Sequence, residues 1–240
     1  MIELGWELIP ALLGIVASPL AIMALIATLL SRGARWNGVS FLVGWICAVV
    51  VTVAVVFALA DGAFRAEHNG EGDSPMVGII RVVLAGLLGA GAVWTYRRAR
   101  ASIASMAGAR TPDEIAAAAP QLPGWLQSVS RFTPPRSLLL GFGIFVLNPI
   151  NVACAIAAVL DVQTAGLLEQ DAILVVTVFC ILCIIPMAIP VVLLLIAGSR
   201  AEAPLQRLRG WIVKNNGVLG AGFLGIVAFT QIQKAIQAWV

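Results

Sequence analysis

Six runs of apolar residues, at about 8 to 30, 39 to 60, 76 to 96, 138 to 161, 172 to 197 and 216 to 236, are each long enough to cross roughly 30 Å of hydrocarbon as a helix. Inside lipid every backbone N–H and C=O needs an internal partner, so continuous apolar runs of this length predict helices. The chain is therefore expected to be an all-α integral membrane protein with six transmembrane helices. Its 240 residues are 60% hydrophobic and 11% charged, outside the range of a soluble globular domain. Six spans leave little room for a separate catalytic domain, and no enzyme activity is expected. Net charge is only +3, and the basic residues lie between the apolar runs rather than in one patch, so nucleic-acid binding has no support.

The basic residues instead predict orientation. Arg32 and Arg35 follow the first run; Arg97, Arg98, Arg100, Arg110, Arg131 and Arg136 follow the third; Arg200, Arg207, Arg209 and Lys214 follow the fifth. These are 12 of the 15 basic residues, whereas Arg65 alone lies in an opposite-side loop, so the positive-inside bias predicts an N-out, C-out topology. Three spans per half is an odd number, so the second half crosses in the opposite sense. The expected organisation is two inverted three-helix repeats, 1–96 and 138–240, joined by a cytoplasmic loop at 97–137. Glu3 and Glu7 precede the first run without any Lys or Arg, unlike a secretory signal, and that run is expected to be retained. Cys47, Cys154, Cys180 and Cys183 all fall within apolar runs and read as packing residues.

The 97–137 loop has internal signals. Thr111-Pro112-Asp113-Glu114 has the form of a capping box opening a short helix that Pro120 ends. After Pro123-Gly124, the residues Trp125, Leu126, Val129 and Phe132 recur at helical spacing, predicting a helix lying on the inner membrane surface. Leu205, Leu208, Trp211 and Ile212, set against Arg207, Arg209 and Lys214, repeat the pattern. Such helices anchor a protein to the surface or act in lipid gating.

The first run contains Ser18-Pro19 and the fourth contains Asn148-Pro149, each expected near mid-membrane. A proline inside a helix removes one hydrogen bond and clashes with the carbonyl four residues back, freeing polar groups that lipid cannot satisfy. Breaks at corresponding places in two halves point to the binding site of a repeat-built transporter, although simple packing kinks would leave the same trace. Asn148 and Asn151 share a helix face beside Pro149, and each offers a donor and an acceptor. With Ser18, Pro19 and Pro149 they form the candidate substrate-binding and hinge residues; the alternative is that they bond neighbouring helices. Arg81 is the basic residue well inside a span. It either contacts an anionic headgroup or snorkels outward. Asp61 and Asp161 close the second and fourth spans on the outer side and read as interfacial. Pro186 and Pro190 are expected to bend or unwind the fifth span, giving a flexible element. Gly86, Gly89 and Gly91, with Gly217, Gly220, Gly222 and Gly225, give small faces suited to close packing within the chain or in a homodimer.

The paired Pro-broken spans and the NP-x-N motif at 148–151 resemble the lysine exporter superfamily. More closely, GVSFLVGW at 38–45, PGWLQSVSRFTPPRSLLLGFGIFVLNPIN at 123–151 and IPVVLLLIAGSRAEAPLQRLRGWIVKNN at 189–216 resemble its GAP branch, the actinobacterial peptidoglycolipid and sulfolipid addressing proteins. The resemblance covers nearly the whole chain. It implies six spans in the bacterial cytoplasmic membrane, a part in moving large glycolipids or lipopeptides toward the cell surface, and cell-envelope lipid export or biosynthesis proteins as partners. The family motif commonly reads NPKN, and Ile150 stands where that lysine would be. The superfamily also has thiol-disulfide transporting relatives, which pair a cysteine of the first span with one of the fourth; Cys154 has no first-span cysteine to pair with, so Cys180-x-x-Cys183 is read as packing. Neither cofactor nor metal is expected, and His68, the single histidine, lies in an outer loop.

The function expected from these features is export or translocation of a lipid-like amphiphile by alternating access. A small-solute exporter for amino acids or ions, using the same central site, is the first rival. A non-transporting accessory scaffold of a lipid export or biosynthesis complex is the second.

Overall fold

In a computed structural model of the chain, described at residues 2–16, 18–31, 33–68, 132–201 and 203–207 and in shorter pieces from 79 to 97 and from 222 to 236, every regular element among the described residues is helical. The main helices are α1 (Ile2–Val16), α2 (Pro19–Leu29), α3 (Ala34–His68), α4 (Pro134–Val146), α5 (Pro149–Thr164) and α6 (Glu169–Ala197), and a short 3-10 turn at Gly198–Ala201 follows. Two stretches, Ala34–Ala60 and Glu169–Ala197, are each long and apolar enough to cross a membrane. Two bent pairs, α1 with α2 at 50° and α4 with α5 at 61°, raise the number of candidate spans to four if each pair is one span. The described pieces of the runs near 76–96 and 216–236 are helical too. Arg81, the capping box at 111–114 and the surface helix expected from Trp125 lie outside the described residues, except for Phe132 at the end of that helix.

Both bends form for the same local reason. Proline has no N–H to give a preceding turn, but its fixed φ suits the first position of a new helix. Pro19 and Pro149 therefore open α2 and α5. The residue before each proline is forced out of the helical region: Ser18 has φ −62° and ψ 103°, and Asn148 has φ −87° and ψ 107°. The interior prolines of α6 behave differently. Pro186 and Pro190, expected to bend or unwind this span, do not unwind it: α6 runs as one helix from Glu169 to Ala197. Membrane helices tolerate interior prolines where neighbours re-satisfy the freed groups. Here α6 packs along α3, and Trp45 Nε1 donates to the Cys183 carbonyl at 3.3 Å, one residue after Leu182, whose carbonyl Pro186 leaves without its helical donor.

The order bent pair, then long helix, occurs twice: α1–α2 then α3, and α4–α5 then α6. The two breaks are 130 residues apart in sequence. Between the halves, α3 and α4 form the most extensive contact and run parallel, as successive pairs show: Asn37 with Phe132, Phe41 with Gly141, and Trp45 with Phe145. The approach is backbone to backbone. A Cβ on Gly44 would overlap the Leu138 carbonyl, and one on Gly141 would overlap the Phe41 carbonyl, so only glycine fits at either position. Beyond this seam the rings of Trp45 and Phe145 meet edge to face with centroids 5.1 Å apart.

The two bent pairs cross in the opposite sense. Gly14 of α1 lies against Cys154 of α5, and four residues on, Ser18 lies against Asn148, six residues back, so the chains run antiparallel through the junction. Phe41, Trp45, Phe145, Ile15, Leu25 and Ile26 are fully buried in the core. The opposite faces of the same helices are apolar and exposed: Leu139, Leu147, Leu59 and Ile196 are examples. Large apolar side chains facing outward along whole helices are the signature of a surface made for hydrocarbon. Gly89 faces Ala228 of the same chain, so the small face of the third run is used at least in part within the molecule.

Candidate functional site

The polar residues at the breaks meet. Asn148 Nδ2 donates to Ser18 Oγ at 3.3 Å and to Asn151 Oδ1 at 3.3 Å, while Asn148 Oδ1 accepts from the backbone N–H of Ile150 at 3.0 Å. The last bond is an N-cap, satisfying one of the free donors at the start of α5. Asn151 has 0% of its surface exposed and Ser18 only 5%. Asn148 is half-buried, while the neighbouring Leu147 is 83% exposed and Pro149 is also exposed. A short polar path therefore leads from the lipid-facing side of the break to a sealed interior.

Three carbonyls at the ends of α1 and α4 are taken: Ile15 by the Ser18 N–H, Gly143 by Leu147 N–H and Phe145 by Asn148 N–H. On the donor side, Asn151 Nδ2 is buried and has no partner. An unpaired buried amide in an otherwise well-packed core costs about 1–3 kcal/mol and calls for an explanation.

Of the candidates from sequence, Ser18, Asn148 and Asn151 form one hydrogen-bonded cluster at the two helix starts made by Pro19 and Pro149. Pro186 and Pro190 lie along α6 and are outside that cluster. Arg81 is outside the described residues. Ile150, in the place of the family lysine, is half-buried and packs against the core. Asp161, expected at the outer end of the fourth span, lies in the last turn of α5 and is buried within the chain, with 3% exposure. The four cysteines are all free; Cys154 and Cys183 are buried and Cys180 half-buried, as packing residues would be, whereas Cys47 is exposed on α3 and packs against no part of the core among the described residues.

Sequence reading missed a second buried polar group, at the start of α3. Asn37 Nδ2 donates to Ser31 Oγ at 2.9 Å and to the Phe132 carbonyl at 2.8 Å, and Ser31 Oγ donates to the Thr28 carbonyl at 2.7 Å. This group fastens the turn between α2 and α3 to the entrance of α4. An asparagine among apolar residues at 34–45 was its only sequence signal. An apolar crevice near the far end of α5, lined by Leu8, Val53, Ala158, Val162, Val176 and Phe179, carries no polar atom group of comparable kind.

A fold of apolar-surfaced helices, with a buried polar junction where two broken helices cross, defines a helical membrane protein with an internal polar site. The chain belongs to the family described as Sap, sulfolipid-1-addressing protein, whose model matches residues 8–237. No curated protein and no solved structure matches the chain significantly.

Proposed function

We propose that this protein moves a lipid-like amphiphile across the bacterial cytoplasmic membrane, without enzymatic chemistry, by alternating opening of the Ser18–Asn148 junction. In this reading the chain has six spans in two inverted three-helix repeats, N-out and C-out, and the wider kinship is with the lysine exporters. The observation that carries it is the antiparallel meeting of the two breaks. In an inverted repeat, equivalent positions on the pseudo-two-fold axis touch one another, and Ser18 and Asn148 are equivalent by their place before the helix-opening proline. The family description supports a lipid as cargo. So does the lateral position of the break, where the exposed Leu147 and Pro149 adjoin the half-buried Asn148. A headgroup can then pass along a polar seam while its chains stay in hydrocarbon.

The test is reconstitution of the purified chain into liposomes that carry a fluorescent glycolipid in one leaflet. Transfer to the other leaflet by this protein alone, lost in Asn148→Leu, is the expected result. Transfer of amino acids instead would favour the small-solute rival, and movement of neither would favour the scaffold.

A further inference from the structure

We propose that the end of the α3–α4 seam nearest the starts of both helices binds a monovalent alkali cation, held by neutral oxygens around Asn37 and Ser137. The site is separate from the Ser18–Asn148 junction, and the inference does not depend on the translocation reading. Two buried oxygens there lack partners. Asn37 Oδ1 belongs to a side chain 1% exposed and Ser137 Oγ to one 0% exposed, and neither makes a hydrogen bond. Buried polar atoms are nearly always paired, so two orphans in one region call for a ligand. The orientation of the Asn37 carboxamide is settled by its neighbour. Its other end lies 2.8 Å from the Phe132 carbonyl, which can only accept, so that end is the nitrogen and the unpaired atom is the oxygen. The backbone brings the two residues to one region. Asn37 stands one turn before Phe41 on the buried face of α3, Ser137 stands one turn before Gly141 on that of α4, and Gly141 abuts the Phe41 carbonyl.

A count of protons gives the sign of the ligand. Both protons of Asn37 Nδ2 are committed, to Ser31 Oγ at 2.9 Å and to the Phe132 carbonyl, and the Ser31 hydroxyl proton goes to the Thr28 carbonyl at 2.7 Å. What the group still offers is oxygen. Asn37 Oδ1 and Ser137 Oγ are free, and Ser31 Oγ and the Phe132 carbonyl have a lone pair beyond the bonds named. Residues 19–41 and 132–141 contain no Asp or Glu, whereas divalent cations are bound through carboxylates, so the neutral set suits a single charge. The surrounding field is mixed. The end of α2 at Leu29 turns its negative pole to the site, while the starts of α3 and α4 and the exposed Arg35 and Arg136 oppose a cation. Binding should therefore be weak, with a Kd on the order of 1 mM or above. Gly33, exposed in the turn after α2, covers Asn37 Oδ1 without a side chain; a Cβ there would stand 3.5 Å from that oxygen. A cation bridging Asn37 and Ser137 clamps α3 to α4 beside the glycine crossing and favours the closed arrangement of this structure.

The test uses the full chain in nanodiscs of neutral phosphatidylcholine, with N-methylglucamine chloride exchanged for sodium, lithium or potassium chloride at constant ionic strength. Radioactive sodium binding and the thermal midpoint are the two readouts. The expected result is saturable binding and a midpoint that rises with one of the three ions and then levels off. Whichever ion gives the largest rise identifies the one that fits, and any of them supports the site. Ser137→Ala is the decisive variant. It deletes no hydrogen bond of the structure, so in N-methylglucamine it should unfold at the same temperature or slightly higher. Its ion affinity should nevertheless fall about ten-fold or more, and the ion-dependent rise should move to correspondingly higher concentration. Asn37→Leu should weaken binding as well, with a lower midpoint because the bonds to Ser31 and Phe132 go with it. Thr177→Val, on the exposed side of α6, should leave both readouts unchanged. A midpoint indifferent to the ion present means that the two oxygens hold only water and overturns the proposal. So does calcium or magnesium binding more tightly than the alkali ions, or unchanged binding in Ser137→Ala. Cation binding without lipid transfer in liposomes counts against translocation and leaves this site standing.

Discussion

Asn148 reaches from one helix break to the other, its Nδ2 lying 3.3 Å from Ser18 Oγ, so two segments 130 residues apart share one polar contact inside an apolar molecule. The contact is weak by its length and central by its place. It holds the breaks together without committing them, and the expected outcomes below follow from that combination.

Asn151→Leu should separate stability from function. The substitution deletes one long hydrogen bond and one unpaired donor, effects of opposite sign that leave stability within about 1 kcal/mol. Translocation should fall about ten-fold or more. Thermal unfolding and liposome transfer, measured on the same preparation, check it; a large loss of stability with normal transfer would make Asn151 a packing residue.

Pro149→Ala should return an N–H to the break and allow a straighter α4–α5 helix. Stability should hold or rise while translocation slows, because the break supplies the movable element. An unchanged rate would show that the bend is a packing kink.

Gly44→Ala and Gly141→Ala should each destabilise the protein by about 1–3 kcal/mol, since the added methyl meets a backbone carbonyl that has nowhere to go. Gly86→Ala, with nothing within 4 Å, is the control and should be neutral or slightly stabilising. Thermal midpoints of the three variants decide the matter.

Gly14→Cys should cross-link to Cys154 on mild oxidation, because a Cβ at position 14 lies 3.8 Å from Cys154 Cβ, the usual separation in a disulfide. Mass spectrometry of the joined peptides would detect the bond. The cross-link ties α1 to α5 beside the junction and should arrest translocation until it is reduced.

For the topology, single cysteines at Gly70 and Gln170, in a background with the native cysteines replaced, should react with an impermeant reagent on intact cells, and one at Ser105 should not. The reverse pattern would invert the orientation drawn from the basic residues.

The helix breaks were legible in sequence because proline acts locally: Ser18-Pro19 and Asn148-Pro149 dictate an extended residue followed by a helix start whatever surrounds them. That the two would touch was open, since contact between distant segments depends on how whole helices cross. Pro186 and Pro190 show the limit of the local rule. The same residue type opens a helix at Pro19, Pro134 and Pro149 and lies inside one at Pro10, Pro186 and Pro190, and the neighbours decide which. The burial of Asp161 and the bonds of Asn37 were hidden for a related reason: apolar runs reveal length, while depth within a bundle is set by the other helices. The partners of Gly44 and Gly141 across the seam cannot be read from spacing.

The glycine seam acts on the junction as a fulcrum acts on a lever. With no side chain between the backbones of α3 and α4, the crossing has no compressible layer and is free only to rotate. Asn148 lies seven residues beyond Gly141, about 10 Å along a helix rising 1.5 Å per residue. A rotation of about 10° at the seam therefore carries Asn148 through about 2 Å, more than its bond to Ser18 can stretch. A small angular change at a rigid crossing, without any loss of secondary structure, is enough to part Ser18 from Asn148.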